Sequence, residues 1–457
     1  MKGNDLGRDE IVSLVLRLAL PTMLAQLVNV LYGIVDRIFI SAIPGVGAQA
    51  LAGVGVCGPI VTLITSFAML VGVGGSPLMA MRMGEGNRRQ AEDILANCAL
   101  MLLALAALLT LGVALGGNWL LTTFGASEAL MPYAGPYLRV ITLGILFSIG
   151  AAGLNQFIIC QGFSGMGMIT VVAGALTNVA LDPLMIFTLK MGCKGAALAT
   201  ILSQAVSFGL CLCFLLSRRP PVRIRLSGYS ARVMAAVLKY GFSPFVIVAT
   251  DSVVIIALNS VLQRYGGAQA DLLIAAATIT QSYMQLITMP LLGLTGGTQP
   301  LLSFNLGACA LDRIRRGIRV ILKFGLLFTS AMFVASQFLP SLFARVFTDD
   351  PALIAAAVRA IRVYTLGVLP MTLQYCFVDA LTALGVPHVS MSLSLARKLN
   401  MTLWTILLPA LGLGAFAAFC AEPIADLCAG ILSTVAFRKT FEPLLSRRSM
   451  TGGEIGR

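Results

Sequence analysis

LRVITLGIL at 138–146 and IRVYTLGVL at 361–369 are one motif written twice, 223 positions apart. The same offset relates Pro21 to Pro244, Gly74 to Gly297, Pro77 to Pro300, Gly84 to Gly307 and Phe124 to Phe347. A constant spacing held across so much chain marks an internal duplication. Working outward from the motif, each copy contains six long apolar segments. An even number of crossings per copy makes the two copies parallel, related by a pseudo-twofold axis along the membrane normal.

Composition agrees. The chain has 457 residues, of which 58% are hydrophobic and 11% charged, with a mean hydropathy of +0.91. Soluble domains carry about 25% charged residues. The predicted fold is an all-α polytopic membrane protein with twelve transmembrane helices in two parallel six-helix repeats. Expected spans are 14–40, 50–75, 93–116, 136–160, 164–188, 193–216, 236–262, 272–297, 317–340, 358–382, 387–411 and 414–437. The expected units are an N-lobe at 1–216, a linker at 217–232 (with Pro220 and Pro221 among basic residues), a C-lobe at 233–437 and a tail at 438–457.

The net charge of +13 would suggest nucleic acid in a soluble protein. Here the arginines cluster in the loops after spans 2, 6 and 8 and in the tail, as the positive-inside rule requires. That excludes nucleic acid and places both termini in the cytoplasm of a plasma (inner) membrane protein. The ten cysteines are scattered without a CxxC, and His388 is the sole histidine, so neither a zinc nor a haem site is implied. The polar N-terminus is followed by no cleavage site, which leaves span 1 in place. No GxxxxGK[ST] is present.

Acidic residues inside spans are expensive and therefore candidates for function. By span position these are Asp36, Asp182, Asp251, Asp379, Glu422 and Asp426. A depth count at 1.5 Å per residue puts Asp36, Asp182 and Thr200 at one level in the outer half of the membrane, with Asn178 one turn from Asp182 on the same helix face. Two carboxylates, an amide and a hydroxyl are the oxygen donors a small hard cation prefers, and the same carboxylates can carry a proton. Tyr32 and Asn29 share the face of Asp36, and Asn155 lies deeper. At the 223 offset Asn259 replaces Asp36, and at an offset of 222 Asn400 keeps the place of Asn178 while Trp404 takes that of Asp182. The cation site is therefore expected in the first copy alone. Glu422 and Asp426 are four residues apart on one helix face. They are expected either to attract a cationic substrate or to pair with Arg397 or Lys398.

Together these stretches resemble the MATE (multidrug and toxic compound extrusion) transporters over essentially the whole chain. The resemblance is carried by Pro21 and Asp36 in span 1, GVGGSPLMAMRMGEGN after span 2, NVALDPLMIF and MGCKGAALATILSQ in spans 5 and 6, and MPLLGLTGGTQPLLSFNLGA in the second copy. It implies a V-shaped two-lobe fold. It also implies antiport of organic cations or amphipathic drugs against Na⁺ or H⁺, with no cofactor and no enzymatic activity. By carry-over, Asp36, Asn178, Asp182 and Thr200 would hold the cation, Asn29, Tyr32 and Asn155 would line the substrate cavity, and Pro21 would let span 1 bend. Some relatives depend on acids in spans 7 and 10, where Asp251 and Asp379 lie at a spacing that departs from those motifs. The expected partners are small-molecule drugs and the lipid bilayer, with the chain acting as a monomer. The rival reading is a lipid-linked oligosaccharide flippase, which would want a strongly cationic cavity, whereas the first-copy cavity here is acidic and neutral-polar.

Overall fold

The computed structural model describes residues 4–455 except 125, 127, 129, 226 and 227, and omits the side chains of 48, 251–253, 255, 256, 271 and 447–455. The first copy contains α1 (Ile11–Ser41), α2 (Gly47–Gly84), α3 (Arg88–Thr123), α4 (Met131–Leu143), α5 (Ile145–Ile159), α6 (Ser164–Pro183) and α7 (Cys193–Leu216). The second contains α8 (Ala231–Ala249), α9 (Asp251–Tyr265), α10 (Ala270–Gly307), α11 (Leu311–Phe338), the short α12 (Pro340–Ala344), α13 (Pro351–Tyr364), α14 (Val368–Ala383), α15 (Pro387–Leu408) and α16 (Ala421–Ile455).

The sequence sets where these helices start and break. Glu10 caps α1 by accepting from the backbone N–H groups of Val12 and Ser13, at 3.0 and 2.8 Å. Asn87 caps α3 and Asp350 caps α13, the latter with Pro351 as first helical residue. Three expected spans are interrupted. Gly144 bends α4 against α5 by 56°. Thr250 separates α8 from α9, and a 3₁₀ turn at Thr365–Gly367 separates α13 from α14. Gly144 and Gly367 are partners at the 223 offset, so the repeated motif encodes a helix break in both copies.

Proline supplies another local rule. Pro21 lacks an N–H, which frees the carbonyl of Arg17 one turn back. α1 nevertheless runs unbroken from Ile11 to Ser41, and Ser164 at the start of α6 donates its hydroxyl to the freed Arg17 O at 2.8 Å.

Packing across the copies runs through glycines. A Cβ on Gly84 would collide with the Phe304 carbonyl, and one on Gly307 with the Met81 carbonyl. Met81 and Phe304 are themselves 223 apart, so the crossing of α2 and α10 obeys the pseudo-twofold. One buried cluster belongs mainly to the first copy, with Phe157, Leu95 and Ile149, and a second mainly to the second copy, with Ile361, Leu291 and Phe419. A third joins Leu6, Leu14, Leu18 and Met81 to Leu301, Leu306 and Leu381.

Among the described residues ten helices are long and apolar enough to cross a membrane, or eleven when α4 and α5 count as one bent span. The remaining expected span, α15, falls short of that measure, its apolar run interrupted by Arg397, Lys398 and Asn400. Several helices run past their expected ends: α2 and α10 continue to Gly84 and Gly307 rather than stopping near 75 and 297. Leu115 and Phe338 are 81% and 76% exposed, an apolar exterior suited to lipid rather than water. The chain is a multi-pass membrane protein.

Candidate functional site

Asp36 lies one and a half turns from the end of α1, and Asp182 lies next to last in α6. Pro183 follows Asp182, and the chain then widens into a π turn, Leu184–Thr188. α1 packs on α6, which brings the two carboxyls within hydrogen-bonding reach of each other. Asn178 Nδ2 donates to Asp182 Oδ1 at 3.3 Å. Asn178 and Asp182 are 1% and 0% exposed, while Asp36 is half-buried.

The oxygens left over define what the site lacks. Asp36 Oδ1, Asp182 Oδ2 and Asn178 Oδ1 are buried without a hydrogen-bond partner. Two facing carboxylates away from water need a positive charge between them, since an uncompensated buried charge costs several kcal/mol. Three orphaned oxygens from two acids and an amide fit one monovalent cation or a proton. Among the described residues no group of three or more His, Cys, Asp or Glu side chains is placed to hold a metal ion.

The remaining expected residues have different ties. Tyr32 is close enough for its hydroxyl to sense both carboxyls. Thr200, half-buried on α7, donates to Ala196 O at 3.0 Å, which leaves its oxygen lone pairs available. Asn29 is engaged by its neighbour Gln26, at 3.4 Å. Asn155 accepts from Thr170 of α6, also at 3.4 Å, and so ties α5 to α6. A further residue, Tyr137 of α4, is 7% exposed and senses both Asp36 and Asp182. The depth count that joined Asp36 to Asp182 would have found it, because Tyr137 lies at the start of the fourth expected span, the end expected to be outermost.

The second copy arranges its charges differently. Arg397 of α15 donates through Nε to Asp426 Oδ1 at 2.7 Å, and through Nη2 to Glu422 Oε1 at 2.6 Å. Both acids thus share one guanidinium, and Glu422 Oε2 and Asp426 Oδ2 remain without partners. Lys398 turns the other way. It donates to the Ile247 carbonyl and to Thr250 Oγ1, the latter at 3.1 Å, so it caps the C-terminal end of α8 at its break. Asp379 is within hydrogen-bonding reach of Thr295 and Gln299 on α10. Asp251 begins α9, and its side chain lies outside the described residues.

Comparison with known proteins bears on this arrangement. The MatE family model matches residues 21–184 and 245–399, one segment in each copy and most of the chain in total. The chain belongs to the MatE family. It is therefore a membrane transporter and not an enzyme, and transporters of this family are driven by ion gradients. An FAD transporter of Shewanella oneidensis is 25% identical over 446 residues, covering 94% of this chain and 95% of its own. The multidrug export protein MepA of Staphylococcus haemolyticus is 24% identical over 403 residues, covering 86% and 84%. The fold also matches a solved outward-facing multidrug resistance MATE family transporter of the MOP superfamily. That match has a TM-score of 0.91 at 22% identity and covers 97% of this chain and 99% of that one. MatE membership fits the two-lobe architecture and the duplicated pattern of Gly and Pro.

Proposed function

We propose that this MatE transporter expels organic cations or amphipathic drugs by alternating access, in exchange for Na⁺ or H⁺ bound at Asp36, Asn178, Asp182 and Thr200. The observation that carries the reading is the buried Asp36–Asp182 pair with its orphaned oxygens. The relatives named as multidrug export proteins support the substrate class. In this reading one positive charge from outside satisfies the pair, the cavity changes shape, and substrate leaves outward. Tyr32, Asn29 and Asn155 line the adjoining cavity, and Pro21 gives α1 its capacity to bend. Twelve spans, cytoplasmic termini, an N-lobe at 1–216 and a C-lobe at 233–437 complete the topology. Of the second-copy acids, Glu422 and Asp426 act through their ion pair with Arg397.

Substrate efflux from proteoliposomes under a Na⁺ gradient alone and a pH gradient alone tests the proposal. One gradient should drive export, and Asp36→Asn should abolish that drive in a folded protein. A chain carrying Asp36→Asn that still exports at full rate would sink the site assignment. Flavin adenine dinucleotide belongs among the assayed substrates, given the name of the Shewanella relative.

A further inference from the structure

Ahead of α1, the short segment 4–9 lies across the junction of the two copies, at the end where α2 and α10 cross. It is held from both sides. Asn4 grips the first copy: its Nδ2 and its backbone N–H both donate to the Gly162 carbonyl, at 3.0 and 3.3 Å. Leu6 and Asp9 are gripped by the second copy. The Leu6 carbonyl accepts from Asn305 Nδ2 at 2.9 Å and from Arg313 Nη2 at 3.2 Å. Arg313 Nη2 also donates to the Asp9 carbonyl at 2.8 Å, and its Nε to Asn305 Oδ1 at 3.0 Å.

Packing follows the same division. The Leu6 side chain is 3% exposed and sits in the cluster that joins Met81 of α2 to Leu301, Leu302 and Leu306 of α10. A Cβ on Gly7 would press on the Phe304 ring at 3.1 Å. Gly162 has φ +86, and a Cβ there would meet the Asn4 carbonyl at 2.6 Å, so the Asn4 contact requires glycine.

The two copies cannot separate at this end while both grips persist. Either Asn4 leaves Gly162, or Leu6 and Asp9 leave Arg313 and Asn305. In either case Leu6 and Met81 lose their cover. We propose that residues 4–9 are a latch that holds this end of the transporter shut, and that Arg313 is the group it must release for the end to open. The latch rests on the fold rather than on the identity of the coupling ion or substrate.

Hydroxyl-radical footprinting of the full-length protein in lipid nanodiscs tests this without substrate or ion gradient, so it can fail independently of the transport reading. Met81, 7% exposed at the junction, is the reporter, and Met79, fully buried in the first-copy core, is the control. Two variants break opposite grips. Arg313→Ala removes two of the three hydrogen bonds by which the second copy holds Leu6 and Asp9, leaving only Asn305 on the Leu6 carbonyl. Gly162→Ala frees Asn4 from the first copy and leaves Leu6 bound to Asn305 and Arg313 of the second. The latch predicts that both variants oxidise Met81 faster with Met79 unchanged: about tenfold in Arg313→Ala, the factor that accompanies loss of one charge-assisted hydrogen bond, and about fivefold in Gly162→Ala, which breaks only neutral ones. Faster oxidation in Arg313→Ala alone would mean that Leu6 is only a local cover, and no change in either variant would mean that it carries nothing; both overturn the proposal. If Met79 also reacts in Arg313→Ala, the variant has unfolded. Arg313→Lys, which keeps a donor, then replaces it and should give an intermediate Met81 rate, whereas a wild-type rate would overturn the latch.

Discussion

Thr22 Oγ1 donates a 2.6 Å hydrogen bond to the Gly293 carbonyl, joining α1 to α10 across 271 positions of chain. A Cβ on Gly297 would strike the Thr22 side chain, so Thr22 sits over both glycines. Across the pseudo-twofold, Gly241 of α8 sits over Leu70 and Gly74 of α2. Leu70 and Gly74 are the 223-offset partners of Gly293 and Gly297, but the partner of Gly241 is Leu18, not Thr22. The first helix therefore packs four residues, about one turn, out of the register its twin adopts. At the Gly84 and Gly307 crossing no such slip exists. The duplication is symmetric where α2 meets α10 and asymmetric where α1 and α8 meet them.

Close packing at these glycines predicts selective sensitivity. Gly241→Val and Gly84→Val place side-chain atoms against backbone that cannot retreat and should destabilise by about 1–3 kcal/mol. Gly116→Ala has open space around its Cβ and should leave the melting temperature unchanged or raised. Thermal unfolding of the three variants in one detergent decides the matter. Equal melting temperatures would show that the junction is loosely packed.

Ser164→Ala should cost about 1–2 kcal/mol, because it strands the Arg17 carbonyl that Pro21 has freed. Pro21→Ala restores a backbone N–H for that carbonyl. In a Pro21→Ala background the cost of Ser164→Ala should fall by more than half. A double-mutant cycle on melting temperature measures the coupling, and strict additivity would reject it.

Arg397→Met leaves Glu422 and Asp426 buried without their shared cation. The expected loss is about 3–5 kcal/mol, the cost of breaking one side of a buried ion pair. Adding Glu422→Gln and Asp426→Asn should recover much of it, since no buried charge then remains. Chemical stability of the single and triple variants reads the difference. An Arg397→Met variant as stable as the parent would contradict the 2.6 and 2.7 Å contacts.

Glu10 offers a pH test outside the membrane spans. Its hydrogen bonds from the Ser13 and Val12 N–H groups, aided by Arg316 and Arg313, hold its carboxyl below the ordinary carboxylate range. A depressed acid stabilises the fold above its unfolded pKa, and that contribution disappears as pH falls through the folded value. Protection of the Val12 and Ser13 amides, measured against the intrinsic exchange rate at each pH, should therefore fall below the ordinary carboxylate range. Glu10→Gln should remove that pH dependence.

Much of the architecture was legible because membrane insertion is governed by local composition. Apolar runs and the repeated motif report helices and duplication one segment at a time. Asp36 and Asp182 could be placed at a common depth because helix rise is constant. Tyr137 escaped notice since an aromatic hydroxyl in a span carries no charge penalty to advertise it. The pairing of Glu422 and Asp426 with a single arginine was one of two open alternatives, because helix periodicity shows which residues share a face but not which helix that face meets.

By itself the sequence determined a duplicated helical membrane transporter of the MatE type, with an acidic pair confined to one copy; the breaks at Gly144 and Gly367 came from the structure. Only the tertiary structure decided that Ser164 repairs the carbonyl freed by Pro21, that Arg397 is shared by two acids, and that α1 packs one turn out of register with α8. The physical reason is that helix formation and insertion depend on neighbours within a few turns. These contacts join residues from 25 to 271 positions apart, whose meeting depends on how whole helices pack.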